Sequence, residues 1–564
     1  MIRIRGGTVY DPANGVDGEV RDVWIDGGKI VEAPSASGDV EVIEAEGMLV
    51  LPGGVDMHTH VAGSKENAGR KLRPEDHREH LRGRSGSLRS GSGFTVPSTF
   101  LSGYLYAEMG YTTVMEAASA PLLARHAHEE LDDLPMVDKG LLVTMGNNQF
   151  VMDCVARGEK EKLRHYVAWL LEATRSYAVK VVNPGGVENW KWGGNVASLD
   201  DPVIAFDGVT PRKILECLAE VSRDLGLPHD IHVHGLNLGQ PRSSRTTAET
   251  LRGLDGRGSH LCHLQFLSYR GREEGHAFRS GAESVVEALR GVSDVTFDVG
   301  QVIFGPATTM TSDGPLEFSL HRMTGKKWVN DDVEAESGGG ILPVLYDRKS
   351  RIAAEQWMTG LELFLLVDDP WKLALTTDHP NGGPFFCYPQ VIRLLMDRDY
   401  RAEVLATLPP RAVEGALLPN LDREYSLYEI AIVTRAAPAR ILGLRDKGHL
   451  GVGADGDVAL YDRVDVDGTE CRCSRFASCR RALARVRHLV KGGRWVLREG
   501  KIVEEVRGRT FYVAPGHDRA LERELRDYFE RTYTVAFDNY ALDDDDVPLG
   551  EVIPCERRAA NASS

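Results

Sequence analysis

At 564 residues the chain exceeds one ordinary hydrophobic core, so it should hold several domains or one large barrel with additions. Its 67 Lys and Arg stand against 83 Asp and Glu, a formal net charge of −16, which argues against non-specific nucleic-acid binding and polybasic attachment to lipid. The 42 % apolar share is that of a globular chain, and 59 glycines imply many tight loops.

The opening MIRIRGGTVYDPANG has no apolar signal core, and no apolar run is long enough to span a membrane. Short strands are expected at residues 2–4, 8–9, 23–25 and 29–31, the last two joined by the Asp26-Gly27-Gly28 turn, and again between 40 and 51. From about 52 to 430, apolar runs alternate with helical patterns. Strands are expected at 141–143, 178–182, 230–234, 261–264 and 373–377, and helices at 159–177 and 211–225. This alternation favours an α/β fold, a TIM-like (β/α)8 barrel. The Gly-rich, weakly periodic residues 265–350 are expected to supply extended loops over the site.

Strand pairs at 449–450 with 457–461 and at 489–490 with 495–497 restore the β pattern. The expected organisation is a small composite β domain from residues 1–51 and 431–510, with the barrel at 52–430 between its halves. Beyond 510, Leu521, Leu525 and Tyr528 share a helical face, and the acidic run 543–546 reads as solvated; residues 511–564 form a C-terminal extension suited to a subunit contact. Eight cysteines are thinly scattered. Cys471, Cys473 and Cys479 admit a small metal cluster but lack a fourth partner, so a reduced, cytoplasmic compartment fits best.

The sharpest local signal is Pro52-Gly53-Gly54-Val55-Asp56-Met57-His58-Thr59-His60. Two histidines one residue apart at a strand end point the same way and would grip one cation. Alone, the pair is equally a loop with two satisfied histidines. His232 and His234 repeat the pattern, His263 ends a third apolar run, and Asp378, followed by His379, ends a fourth. In a β/α barrel such strand ends converge on one face. Lys180 sits inside Val179-Lys180-Val181-Val182, where an ammonium is costly. A neutral amine there would react with carbon dioxide to give a carbamate, a bridge between two divalent ions. The alternatives are a lysine reaching out of its strand or paired with Glu188. Strand alternation turns Cys262 away from the side of His263, so thiol catalysis is not expected.

PGGVDMHTH, a strand lysine, two later histidine sites and a strand-end Asp together resemble the metal-dependent amidohydrolases. KVVNPGG at 180–186, HVHGLNLGQP at 232–241, HLQF at 263–266 and TTDHPNGGPF at 376–385 are similar to the A-type subunit of formylmethanofuran dehydrogenase and its counterpart, the alpha-type subunit of the bacterial formyltransferase/hydrolase complex. The likeness runs from GGTVYDP to the Lys491-Gly492-Gly493 turn. It implies two zinc ions, or other divalent ions, bridged by N6-carboxylysine at Lys180. His58 and His60 would hold the buried ion and His263 the second, completed by His232 or His234, with His234 favoured. Asp378 would bind the first ion and move the proton, and His379 would assist the leaving amine or brace the site.

The resemblance further implies hydrolysis, in either direction, of the N-formyl group of formylmethanofuran or a bacterial analogue. The setting is a hetero-oligomeric formyltransferase/hydrolase complex in one-carbon metabolism. Asn183, Asn237 and Gln265 follow the metal-bearing strands and are candidate contacts to this methanofuran-type carrier; Arg242, Arg245 and Arg270 would meet its acidic tail. Composition leans towards the bacterial form. The alternatives are a hydantoinase- or dihydroorotase-like enzyme, a catalytically silent structural subunit or the archaeal dehydrogenase-type subunit.

Overall fold

The computed structural model describes residues 1–35, 39–271, 278–330, 339–463 and 483–556; Cys471, Cys473 and Cys479 lie outside them. Eight parallel strands form the barrel in chain order: Gly54–Thr59, Tyr111–Ser119, Asp138–Thr144, Ala178–Val182, Ile231–His234, Ser259–Leu261, Val295–Asp298 and Leu373–Ala374. One bridge, Thr59 with His379, brings the eighth strand's continuation back to the first. Every residue of the third and fourth strands is buried, as expected where helices cover a parallel sheet. The helices are set by local chemistry. Helix Pro211–Asp224, for example, starts on Thr210 as N-cap with proline at its first position, and buries Ile214, Leu218 and Val221.

A nine-stranded sheet draws on both parts of the chain. Met48–Pro52 lies between Ile2–Asp11 and Val458–Asp462, and His488–Lys491 and Arg494–Arg498 extend it. Residues 449 and 450 do not form the expected strand; instead Leu450 N–H donates to Asp11 Oδ2 at 3.0 Å in a loop.

Past residue 510 the chain is woven into the barrel. Thr510–Tyr512 pairs with the third barrel strand and with Gly550–Val552. Helix Ala520–Thr532 buries Leu521, Leu525 and Phe529; Tyr528 is only half-buried, because Phe529 takes the place the sequence pattern gave it. The acidic run is partly tied down: Asp544 meets Arg175 at 2.9 Å, and Asp546 pairs with Arg125.

The largest departure from expectation is at 305–346. Gly305–Thr311, Val329–Asn330 and Gly340–Tyr346 form an antiparallel three-stranded sheet with helix Gly314–Thr324 beside it, a built cover rather than loops. Its main ladder runs from Gly305 with Tyr346 to Thr311 with Gly340, pairing that local periodicity does not report.

Candidate metal centre

His58 and His60 leave the first barrel strand on the same side, as alternation requires. Asp378 reaches them from beyond the eighth strand: its Oδ1 is 3.1 Å from His58 Nε2 and 3.4 Å from His60 Nε2. Lys180 comes from the fourth strand, His234 from the fifth, and His263 from the residues after the sixth. These six side chains line one cavity of about 530 Å³. His263 and Asp378 both have positive φ (39° and 48°), an uncommon conformation for non-glycine residues and one found at functional sites. Gly300 permits their approach: a Cβ there would lie 2.5 Å from His263 Cβ, and its own φ is 66°.

Each ligand-type group is braced from behind. Glu116 takes His60 Nδ1 at 2.8 Å on one oxygen and the Val61 and Ala62 N–H groups on the other. Asp298 lies 3.0 Å from His58 Nδ1, and its other oxygen accepts from His263 N and Thr376 Oγ1. Asp313 caps helix Gly314–Thr324 with one oxygen and meets His234 Nε2 at 3.3 Å with the other. Asn381 Nδ2 donates to Asp378 Oδ1 at 3.0 Å. Burial pushes His263 well below the ordinary imidazole value. Burial would raise Asp378, but His263, His58 and His60 hold it well below the usual carboxylate range.

The donor set fits a cation. His58 Nε2 faces Asp378 without a hydrogen bond of ordinary geometry, and His263 Nδ1 is buried with no partner among the described residues. Lone pairs turned towards one another on buried side chains are what a bound ion satisfies. His58, His60 and Asp378 meet closely enough to share one, so the site is a candidate metal centre built for more than one ion.

Several expected site residues lie elsewhere. His232 sits below the cavity, its Nε2 3.0 Å from His58 Nδ1. The His379 ring accepts from Phe385 N–H at 3.3 Å; burial, with His60 adding to it, lowers its pKa to about 3. Gln265 is fully buried and braces the loop at Val302 N, and Asn183 donates to Asp313. Asn237 donates to Ala197 O and Thr246 Oγ1. Arg242, Arg245 and Arg270 line a separate cavity of about 690 Å³. Glu188 pairs with Lys191 at 2.7 Å, not with Lys180.

Cys262 corrects the alternation argument. Its Sγ is 3.1 Å from Lys180 Nζ and 3.2 Å from His263 Nε2, because the strand ends at Leu261 and alternation stops there. Sequence reasoning does not single out Glu116, Asp298 or Asp313. Asp298 carries a legible signal, a carboxylate closing the strand-forming run Val295-Thr296-Phe297.

An amidohydrolase family model matches residues 41–497. Protein FwdA of Methanocaldococcus jannaschii is 45 % identical over 561 residues, 96 % of each chain. FhcA, from the formyltransferase/hydrolase complex Fhc of Methylorubrum extorquens, is 37 % identical over 552 residues, 96 % of this chain and 97 % of the relative. A chain in the crystal structure of the formyltransferase/hydrolase complex FhcABCD from that organism, in complex with methylofuran, superposes with a TM-score of 0.91 at 36 % identity, covering 98 % of this chain and 99 % of that one. The chain therefore belongs to the amidohydrolase family and, within it, to the group of FwdA and FhcA.

Proposed function

We propose that this chain hydrolyses the N-formyl amide of a formylated furan carrier, formylmethanofuran or its bacterial analogue, to formate and free amine. It would do so as one member of a formyltransferase/hydrolase assembly in the cytoplasm. The observation that carries this is the meeting of His58, His60, Lys180, His234, His263 and Asp378 in one cavity, in a chain related over nearly its whole length to FhcA. Among the described residues no helix is long and apolar enough to cross a membrane.

His58, His60 and Asp378 would hold one ion, His234 and His263 the other, and Lys180, carboxylated on Nζ, would reach both. Zinc suits this N/O set, as do manganese, iron and cobalt. When bound, such a pair polarises a carbonyl oxygen and makes water acidic enough to attack it. Asp378 accepts the proton of the attacking water and returns it to the leaving nitrogen. Glu116 and Asp298 keep the His60 and His58 rings oriented. Phe266, Leu316, Leu342 and Val344 wall the cavity, exclude water and give a flat ring an apolar seat. The separate cavity that Arg242, Arg245 and Arg270 line also holds Glu283, Glu355 and Glu414, with Arg270 paired to Glu283 at 3.3 Å and Arg245 to Glu249 at 3.3 Å, so an acidic tail there would compete with carboxylates already in place.

Identity is higher to the archaeal relative than to the bacterial one, so the compositional lean towards the bacterial assembly carries little weight. A silent structural role is disfavoured because every proposed ligand position holds a ligand-type side chain. The test is to purify the chain with its native partners and measure metal content and formate release from the formylated carrier. Formate release by metal-loaded protein, lost on chelation and restored by metal, is expected; metal-loaded complex that releases no formate would refute the assignment.

A further inference from the structure

Beneath the cavity a string of buried histidines descends the barrel axis. His58 Nδ1 is 3.0 Å from His232 Nε2, His232 Nδ1 is 3.0 Å from His229 Nε2, and His229 Nδ1 is 3.0 Å from the Ile441 carbonyl oxygen. All three rings are almost wholly buried. His229 lies before the fifth barrel strand at the barrel floor, and Ile441 belongs to helix Ala437–Leu442. Neither residue touches the cavity described above.

The string has one fixed end. A carbonyl oxygen only accepts, so His229 carries its hydrogen on Nδ1 and offers a lone pair at Nε2. His232 must then donate from Nδ1 and accept at Nε2, and His58 must donate from Nδ1. Asp298 Oδ2, also 3.0 Å from His58 Nδ1, favours the same arrangement and is itself met by His260 Nε2 at 3.2 Å. The result is a His58 whose Nε2 bears its lone pair towards Asp378. With His232 in the other tautomer, its Nε2–H would face the His58 Nδ1–H head-on.

We propose that His229 is a positioning residue for His58, acting through His232: the Ile441 carbonyl fixes the tautomers of His229 and His232 and, together with Asp298 at His58 Nδ1, presents His58 Nε2 as a metal donor. The inference rests on the reading of His58 as a ligand. His232 is then a relay in this string, and His234 is left as the ligand of the fifth strand.

The experiment uses the full chain with its partners, stripped by chelator and titrated with Zn2+ alone in competition with a chromophoric chelator, alongside ¹⁵N imidazole spectra of the stripped protein. His229→Leu removes the acceptor, and His229→Gln retains one. Zinc affinity should fall about 10-fold in H229L, the low end of the range for partners of metal-binding histidines because Asp298 still holds His58 Nδ1, and stay within about threefold of wild type in H229Q. The wild-type spectra should show His229 and His232 protonated on Nδ1. Wild-type zinc affinity retained in H229L, an equal loss in H229Q, or an Nε2–H tautomer at His232 would each overturn the proposal. A wild-type chain that binds no zinc would instead defeat the reading of the site itself, and the tautomer pattern would still be read independently of it. Should H229L fail to fold, H229Q and the wild-type spectra decide.

Discussion

Among the described residues five buried groups bring three ligand-type side chains together; four overlap around the metal centre through His58, His60 or His232, and the fifth, far from them in the fold, is built on the opposite principle. At the metal centre, His58, His60 and Asp378 converge with lone pairs facing inward. At the junction between the nine-stranded sheet and the barrel, Asp138, Asp455 and Asp457 converge as closely, but around cations the chain itself supplies. Lys447 Nζ lies 2.5 Å from Asp138, 2.8 Å from Asp455 and 2.6 Å from Asp457; Lys491 and Arg509 add further pairs. Burial alone would raise these carboxylates, but Lys447, with Lys491 or Arg509, holds all three below the usual range. Three buried carboxylates are therefore not in themselves a metal site. What marks one is a surplus of acceptors over the donors the chain provides.

The comparison is most severely tested at the junction. Lys447→Met leaves carboxylates buried with fewer cations and should destabilise the fold by about 3–5 kcal/mol, with metal content per folded chain unchanged. An unaltered unfolding midpoint would show that the pairs contribute nothing there.

At the metal centre, Asp378→Asn should keep much of the bound metal while turnover falls by about 10²-fold or more, the range for a proton-transfer group. Near-normal deformylation by metal-loaded D378N would remove Asp378 from that role. Gly300→Ala forces a Cβ against His263 and should cost about 1–3 kcal/mol while weakening metal binding; calorimetry with chelator competition reads both effects.

Acid separates the clusters more gently. Carboxylates held low in the folded state contribute stability that is present above their unfolded value of about 3.9 and is lost as pH falls through the folded value. The junction should therefore hold to about pH 4 and weaken only below it. Metal should leave at higher pH, since imidazoles bind only when neutral. Unfolding that precedes metal loss on acidification would invert this order.

Much of the barrel and the cavity was legible because each ligand lies within or at the end of a short apolar run, as with Val179-Lys180-Val181-Val182 and Ile231–His234. What stayed hidden depended on where regular structure stops or on pairing far along the chain. Cys262 faces Lys180 because its strand ends one residue early. The sheet over the cavity pairs Thr308 with Pro343, a match no local window reports. His232 and His234 point to the same side, and only depth within the barrel separates a ring in the cavity from one beneath it.

The most direct measurement is the number of divalent ions per chain in the native complex, compared with that in Lys180→Ala. The account predicts two ions in the wild type and fewer in K180A, because the shared bridge is gone. Two ions retained in K180A, or an active wild-type complex that carries none, would contradict it.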